Sequence, residues 1–329
     1  MTATQTATRA TQGWLRRSGG PLDGASIGIV PITWNNGDLP DLAPPVPADF
    51  VLDEIARLGF EGTQTGVGYP AGEQLAAELA GRGLRLAEIY AALPCTQDGP
   101  TADALAVGRA RLAELVAAKG EVLVAALDLS PAREPWAGRA TSPGAPRLTD
   151  GGWHALAQVI ETLAREAEAA GCRLAYHQHA GTFVERPEEL DRLVAELDAV
   201  AAPAPSATGI CLDVGHFTVG GGDPVAALRR YGERVVHVHL KDVDPEVLAG
   251  LQEGSIRGFL AALRARIYTE LGGGVLDVPG VLEQLAARRY HGWIMLEQDT
   301  TWNPASESAA IGRRVLAYAM RHLEVGGER

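Results

Sequence analysis

Short apolar runs alternate with amphipathic stretches along most of the chain. Residues 25–32, 60–65, 84–91, 121–127, 172–177, 207–212, 235–240 and 293–296 are brief and mostly apolar, with many β-branched side chains. That is the composition of strands buried on both faces. Between them, residues 48–58, 74–81, 102–118, 153–170, 187–200, 224–231, 278–288 and 306–322 carry apolar positions at helical spacing. In the first of these the stripe is Phe50, Val51, Ile55 and Leu58, and Gly59 stops it. Gly120 and Gly171 end two later helices, and Pro187 opens another in its first turn. A long excursion, 243–275, holds a further helix-like segment at 256–266. Eight alternations of strand and helix predict an α/β fold, the single-domain (β/α)8 barrel. The competing doubly wound open sheet lacks its usual signal, since no G-x-G-x-x-G follows the first strand. Residues 1–24 read as a loose tail and 25–329 as the barrel, with no linker or longer repeat.

Four of the predicted strands break into acid or imidazole at their C-terminal ends. They are Cys172-Arg-Leu-Ala-Tyr-His-Gln-His179, Thr208-Gly-Ile-Cys-Leu-Asp-Val-Gly-His-Phe217, Val235-Val-His-Val-His-Leu-Lys-Asp242 and Gly292-Trp-Ile-Met-Leu-Glu297. Unpaired buried charge is costly, so such endings predict groups that converge at one mouth of the barrel. Side chains two apart on a strand share a face, which pairs His177 with His179 and His237 with His239. His239, Asp213 and Glu297 are favoured as ligands, and one of His177 and His179 reaches the site, with the choice left open. His237 reads as a buried, hydrogen-bonded histidine, and His154, His291 and His322 as surface residues. Lys241 points away if its strand continues and swings inward if the strand stops. Mixed imidazole and carboxylate donors suit a divalent cation such as Mn2+, Co2+, Zn2+ or Mg2+. Trp34, Asn35 and Asn36 lie in a turn-rich loop and either shape a polyol pocket or pack as a turn.

Composition narrows the partners. Of 329 residues 46% are hydrophobic, enough for a large core, and the formal net charge is −12. That balance opposes a nucleic-acid partner, whose phosphates call for basic contacts. Cys95, Cys172 and Cys211 show no CxxC spacing, the usage of reduced thiols in a cytoplasmic protein. No apolar run approaches membrane-span length and no secretion signal is read after Arg16-Arg17, so no membrane association is expected.

Several motifs together resemble a known family. They are Ile27-Gly-Ile-Val-Pro-Ile-Thr-Trp-Asn-Asn-Gly-Asp-Leu-Pro40, Gly59-Phe-Glu-Gly62, Tyr176-His-Gln-His-Ala-Gly-Thr182, Leu212-Asp-Val-Gly-His216 and His237-Val-His-Leu-Lys-Asp-Val243. From about residue 27 to residue 321 the chain resembles the myo-inosose-2 dehydratases, members of the xylose-isomerase-like TIM barrels. The resemblance implies one divalent ion, Mn2+ or Co2+ before Mg2+ or Zn2+, held by His177, Asp213, His239 and Glu297. His216 falls where related epimerases contact substrate. The chain departs from the dehydratase pattern at Gln64, where those enzymes carry Glu, and in the segments 267–274 and 296–299.

The expected chemistry is loss of water from a cyclic keto-polyol after abstraction of the proton α to its carbonyl. His179, His216, Lys241 and Glu297 are the candidates for proton transfer. Trp34, Asn35, Asn36, Gln64 and His216 are the candidates for substrate contact. A metal-dependent isomerase or epimerase shares the first half of that reaction and is the alternative. A non-catalytic carbohydrate-binding barrel is a rival of another class. An endonuclease-type phosphodiesterase would need more ligands and a basic track, and neither is evident. By analogy with similar barrels, a homo-oligomer paired through loop 130–150 is a further expectation.

Overall fold

Eight parallel strands follow one another around a closed ring in chain order. They are β1 (Ser26–Ile29), β2 (Gly62–Gln64), β3 (Arg85–Leu93), β4 (Val122–Leu127), β5 (Arg173–His177), β6 (Gly209–Asp213), β7 (Val235–Leu240) and β8 (Trp293–Leu296). β8 pairs with β1 through Ser26 opposite Trp293 and Ile29 opposite Leu296, which closes the barrel. The computed structural model describes Gly20 and residues 22–326, with side chains placed as far as residue 323. Most of the tail expected at 1–24 lies outside the described residues.

Helices fill the outside: α1 (Ala48–Arg57), α2 (Gly72–Gly81), α3 (Ala104–Ala117), α4 (Asp150–Ala169) and α5 (Pro187–Ala201) follow the first five strands. After β6 the chain makes two helices, α6 (Val214–Val219) and α7 (Pro224–Tyr231). The excursion after β7 holds α8 (Pro245–Glu253) and α9 (Phe259–Arg264), then α10 (Val278–Ala287) and, after β8, α11 (Ala305–Gly326). α7, α8 and α10 share one start signal, in which Asp223, Asp244 and Asp277 accept backbone N–H bonds at the N-cap and Pro follows. The sequence pattern missed α6 and α8. α6 continues an apolar run without a break, and α8 lies in the long excursion after β7, ahead of the one segment there that reads as helical.

The main core lies between the strands and the helix layer. A second, smaller cluster joins Val30, Ala87, Val122, Val124, Ala175, Cys211, Trp293 and Met295. Two glycines make room for its largest members. A Cβ on Gly62 would meet the Trp293 ring at 2.5 Å and the Arg85 carbonyl at 2.7 Å, and one on Gly28 would crowd the Met295 sulfur. Trp293 is also tied at its polar edge, donating Nε1–H to Glu121 at 2.9 Å with the Arg85 guanidinium stacked 4.3 Å from its ring centroid. Parallel strands then put all eight C-terminal ends on the opposite side, where the polar strand endings gather.

Loop 130–150 packs against β5's outgoing loop rather than standing free. Fully buried Arg133 pairs with Glu189 of α5 at 2.7 Å and donates to the Pro146 carbonyl at 2.6 Å. Glu185 accepts from Gly138 N–H at 2.9 Å and Gly181 N–H at 2.7 Å, joining the two loops. Among the described residues no helix is long and apolar enough to cross a membrane. Cys95, Cys172 and Cys211 are all free.

Candidate active site

Strand register brings the ligand candidates to one level. Asp213 lies opposite His239 across β6 and β7, and His239 opposite Met295 across β7 and β8. Glu297 follows two residues after Met295 and therefore shares its face. One donor atom from each of Asp213, His239 and Glu297 falls within 4.8 Å of the other two. His239 Nδ1 sits 2.7 Å from Glu297 Oε2 and 3.6 Å from Asp213 Oδ2. All three atoms are buried, and none makes an aligned hydrogen bond. His177 joins from β5, its Nε2 3.4 Å from Asp213 Oδ2, but it does not share a common point with Glu297.

Lys241 follows the end of β7 and turns inward. Its ammonium lies 3.4 Å from Asp213, 3.1 Å from Glu297 and 2.9 Å from Asp299, and it sits over the Tyr268 ring. Burial disfavours the charged lysine, but the three carboxylates hold its pKa well above the ordinary value. Burial likewise works against ionised Asp213 and Glu297, and Lys241 with the neighbouring imidazoles keeps both well into the anionic range. Asp299 goes the other way. Burial, with Glu297 and Asp213 nearby, pushes it up to about 8 despite its contact with Lys241.

Two imidazoles stack over this cluster, His179 and His216, with centroids 3.7 Å apart. Their hydrogen bonds select opposite tautomers. His179 Nδ1 lies 2.8 Å from the Ala180 carbonyl, so Nδ1 carries the proton and Nε2 keeps a lone pair. The Ala180 N–H, in contrast, donates to His216 Nδ1 at 3.1 Å, and the Tyr268 hydroxyl is 2.9 Å from the same atom. The His216 proton is therefore on Nε2, which lies 3.2 Å from the Lys241 ammonium. Two donors facing each other do not bond, so that contact is a point where an incoming oxygen would be welcomed by both. Burial and neighbouring positive charge keep both rings neutral, with His179 pushed down to about 3. Asp213 Oδ1 also accepts the His216 backbone N–H at 2.7 Å, capping α6 and holding that ring in place.

A cavity of about 500 Å³ opens over these groups, lined among others by Gln64, Tyr90, His177, His179, His216, His239, Glu297 and Asp299. Residues 52–319 match the family described as xylose isomerase-like TIM barrel. The chain belongs to that family. This xylose isomerase-like barrel is 35% identical over 284 residues to the rhizopine catabolism protein MocC of Rhizobium meliloti, covering 85% of this chain and 83% of the relative. It is 31% identical over 300 residues to the inosose dehydratase of Clostridium botulinum (strain Alaska E43 / Type E3), covering 89% and 97%. Among solved structures it superposes on an L-ribulose 3-epimerase with a TM-score of 0.66 at 16% identity, covering 92% of this chain and 97% of that one. The probable 3-DHS dehydratase AsbF from Bacillus anthracis superposes with a TM-score of 0.64 at 13% identity, covering 88% and 98%. At those identities the likeness is one of fold.

Not every residue proposed from sequence reaches this cavity. Trp34 is buried, donates Nε1–H to Ser306 at 3.0 Å and lines an adjoining cavity of about 560 Å³. Asn35 does reach the main cavity, and its amide also staples its own loop through both Val46 backbone groups, at 2.8 and 2.7 Å. Asn36 bonds the Asp299 carbonyl at 2.7 Å. The amides of Asn35 and Asn36 thus hold the loop in shape, while Asn35 lines the main cavity and both line the adjoining one. Gln64 does line the main cavity. His154, His291 and His322 are exposed.

Sequence reasoning passed over Glu88, Tyr268 and the role of Asp299. Glu88 is fully buried on β3 and bonds across the barrel to His239 Nε2 at 2.9 Å, with His237 in contact on the same oxygen. A lone carboxylate inside Leu86-Ala-Glu-Ile-Tyr90 was a readable signal. Tyr268 arrives on a two-residue ribbon paired with Asp242–Val243, and nothing in its sequence context announces it.

Proposed function

We propose that this barrel is a hydro-lyase that removes water from a cyclic keto-polyol of the inosose type, with a divalent cation at the Asp213–His239–Glu297 cluster. The observation that carries the reading is the convergence of three buried, unsatisfied donor atoms beneath two neutral imidazoles of opposite tautomer. Buried polar atoms without partners are rare in folded proteins, and a bound cation would satisfy all three together. One nitrogen and two carboxylate oxygens form a mixed set that suits Mn2+ or Co2+ and also accommodates Mg2+ or Zn2+. His177, 3.4 Å from Asp213 Oδ2 but outside the group that Glu297 joins, would complete the shell only with a shift of its ring toward Glu297. An ion there would supply electrostatic stabilisation for negative charge that develops on a substrate oxygen.

The chain's own groups divide the proton work. His179 Nε2 keeps a free lone pair on a ring that lines the cavity, so it takes the proton α to the substrate carbonyl. The Lys241 ammonium and His216 Nε2–H both point donors at the same space; one of them gives the single proton with which the hydroxyl departs as water, and the other donates a hydrogen bond to it. Gln64, on the wall of the cavity, is placed to contact the polyol hydroxyls. The inosose dehydratase relative supports the substrate class by its name, and MocC points to a related catabolic role.

An epimerase is the second reading, favoured by one feature. Gln64 puts a neutral amide on the cavity wall where the resembled dehydratases carry a carboxylate. Incubation with 2-keto-myo-inositol and Mn2+ separates the two. The dehydratase reading expects the loss of one water by mass spectrometry and a rising enone absorbance. A product of unchanged mass and altered stereochemistry would establish the epimerase instead.

A further inference from the structure

Beneath the mouth cluster lies a charged group that the proposed chemistry does not use. Glu88 stands mid-strand on β3, with no exposed surface, and reaches across the barrel interior to β7. We propose that Glu88 is a positioning residue that fixes the His239 ring so that Nδ1, not Nε2, faces the cation. The inference rests on the metal site proposed above.

Three observations support it. Glu88 Oε2 lies 2.9 Å from His239 Nε2, a distance for a charge-assisted N–H···O bond. The other nitrogen of that ring, Nδ1, is thereby turned toward Glu297 and Asp213, at 2.7 and 3.6 Å. A flipped ring would break the Glu88 bond and remove the nitrogen donor from the cluster. His237 contacts the same Glu88 oxygen, so the carboxylate is held from two sides and cannot follow a moving ring. Carboxylates that accept the far N–H of a ligating histidine commonly set its tautomer and raise its donor strength, and their loss costs about 10–100-fold in metal affinity.

The same three residues, Glu88, His237 and His239, also lie close enough to be read as a second ion site. The cavity wall includes His239 but neither Glu88 nor His237, which sets those two below the mouth. The number of ions bound per chain separates the two arrangements.

The test uses the full chain loaded with Zn2+ alone, with its histidines labelled with 15N. Long-range 1H–15N spectra of the wild-type protein, with His239 assigned by the loss of its signals in His239→Gln, should show Nε2 protonated and Nδ1 shifted by the metal. Competition against a chromophoric chelator should show one ion per chain, bound about 10–100-fold more weakly in Glu88→Gln and Glu88→Ala. Coordination through Nε2 would overturn the proposal. So would folded Glu88 variants that bind with wild-type affinity, or a second ion per chain that disappears in Glu88→Gln. If the variants do not fold, the wild-type spectrum decides by itself. A wild-type chain that takes up no Zn2+ at all is a different result, and contradicts the metal reading on which this one stands.

Discussion

His179 and His216 show how little separates a proton-donating from a proton-accepting Nδ1 in this site. Both are neutral, stacked and buried, yet one gives its Nδ1 proton to the Ala180 carbonyl and the other receives the Ala180 N–H. The backbone of a single residue, Ala180, therefore assigns the two tautomers. His179→Gln should keep metal binding and lower kcat by about 10²–10⁴, since it removes only proton transfer. Metal affinity measured beside turnover checks this, and a fall in both would move His179 into the ligand set. Glu297→Gln should reduce metal occupancy and turnover together. It is the cleaner test of ligation, because Asp213 also caps α6 through the His216 N–H. The residues that make this site were legible where a polar group ends an apolar strand, as with Asp213, His239 and Glu297. Glu88 was missed because it stands inside a strand, where its partners on β7 are 149 and 151 positions away and no local pattern links them. Asn35 and Asn36 stayed open between turn and pocket because their amides brace the loop while both residues also line a cavity, and sequence does not separate those two uses.

Between elements, the carboxyl of Glu185 is the joint that fastens loop 130–150 to the loop carrying His179. Burial raises its pKa to about 7, against the lowering effect of the Gly181 N–H and Arg133. A carboxyl with a raised folded-state pKa favours folding most at low pH, below its unfolded value of about 4.5, and that contribution is lost as pH rises through about 7. Denaturant unfolding from pH 5 to 8 should therefore show a decline in stability of at most about 3 kcal/mol from this group. Glu185→Gln, which cannot ionise, should flatten that decline, and an unchanged slope would assign it elsewhere. The elements themselves followed the apolar period closely, with α7 and β7 found at the bounds the pattern gives. α6 escaped because Val214-Gly-His-Phe-Thr-Val219 prolongs a strand-like run and its only stop signal is the Asp213 cap. α8 had a readable start in Asp244-Pro245, but α8, α9 and α10 all lie between β7 and β8, and the extra helices break the alternation on which the reading relied.

At the scale of the molecule, the barrel interior is filled by large apolar side chains, and its polar groups gather at the C-terminal mouth. Trp293 and Met295 fill the interior only because Gly62 and Gly28 have no side chains. Gly62→Ala would press a methyl against the indole and the Arg85 carbonyl, and overpacking of this kind costs about 1–3 kcal/mol. Urea unfolding of the variant measures that loss, and stability equal to wild type would show that the interior has slack. Such filling leaves the C-terminal mouth as the place where buried charge can gather. The central claim is that strand ends far apart in sequence hold one cation there. Anomalous diffraction from crystals soaked in Mn2+ tests it most directly. The account predicts a single peak about 2.0–2.3 Å from Asp213 Oδ2, His239 Nδ1 and Glu297 Oε2. No peak, or one that avoids those three atoms, would contradict it.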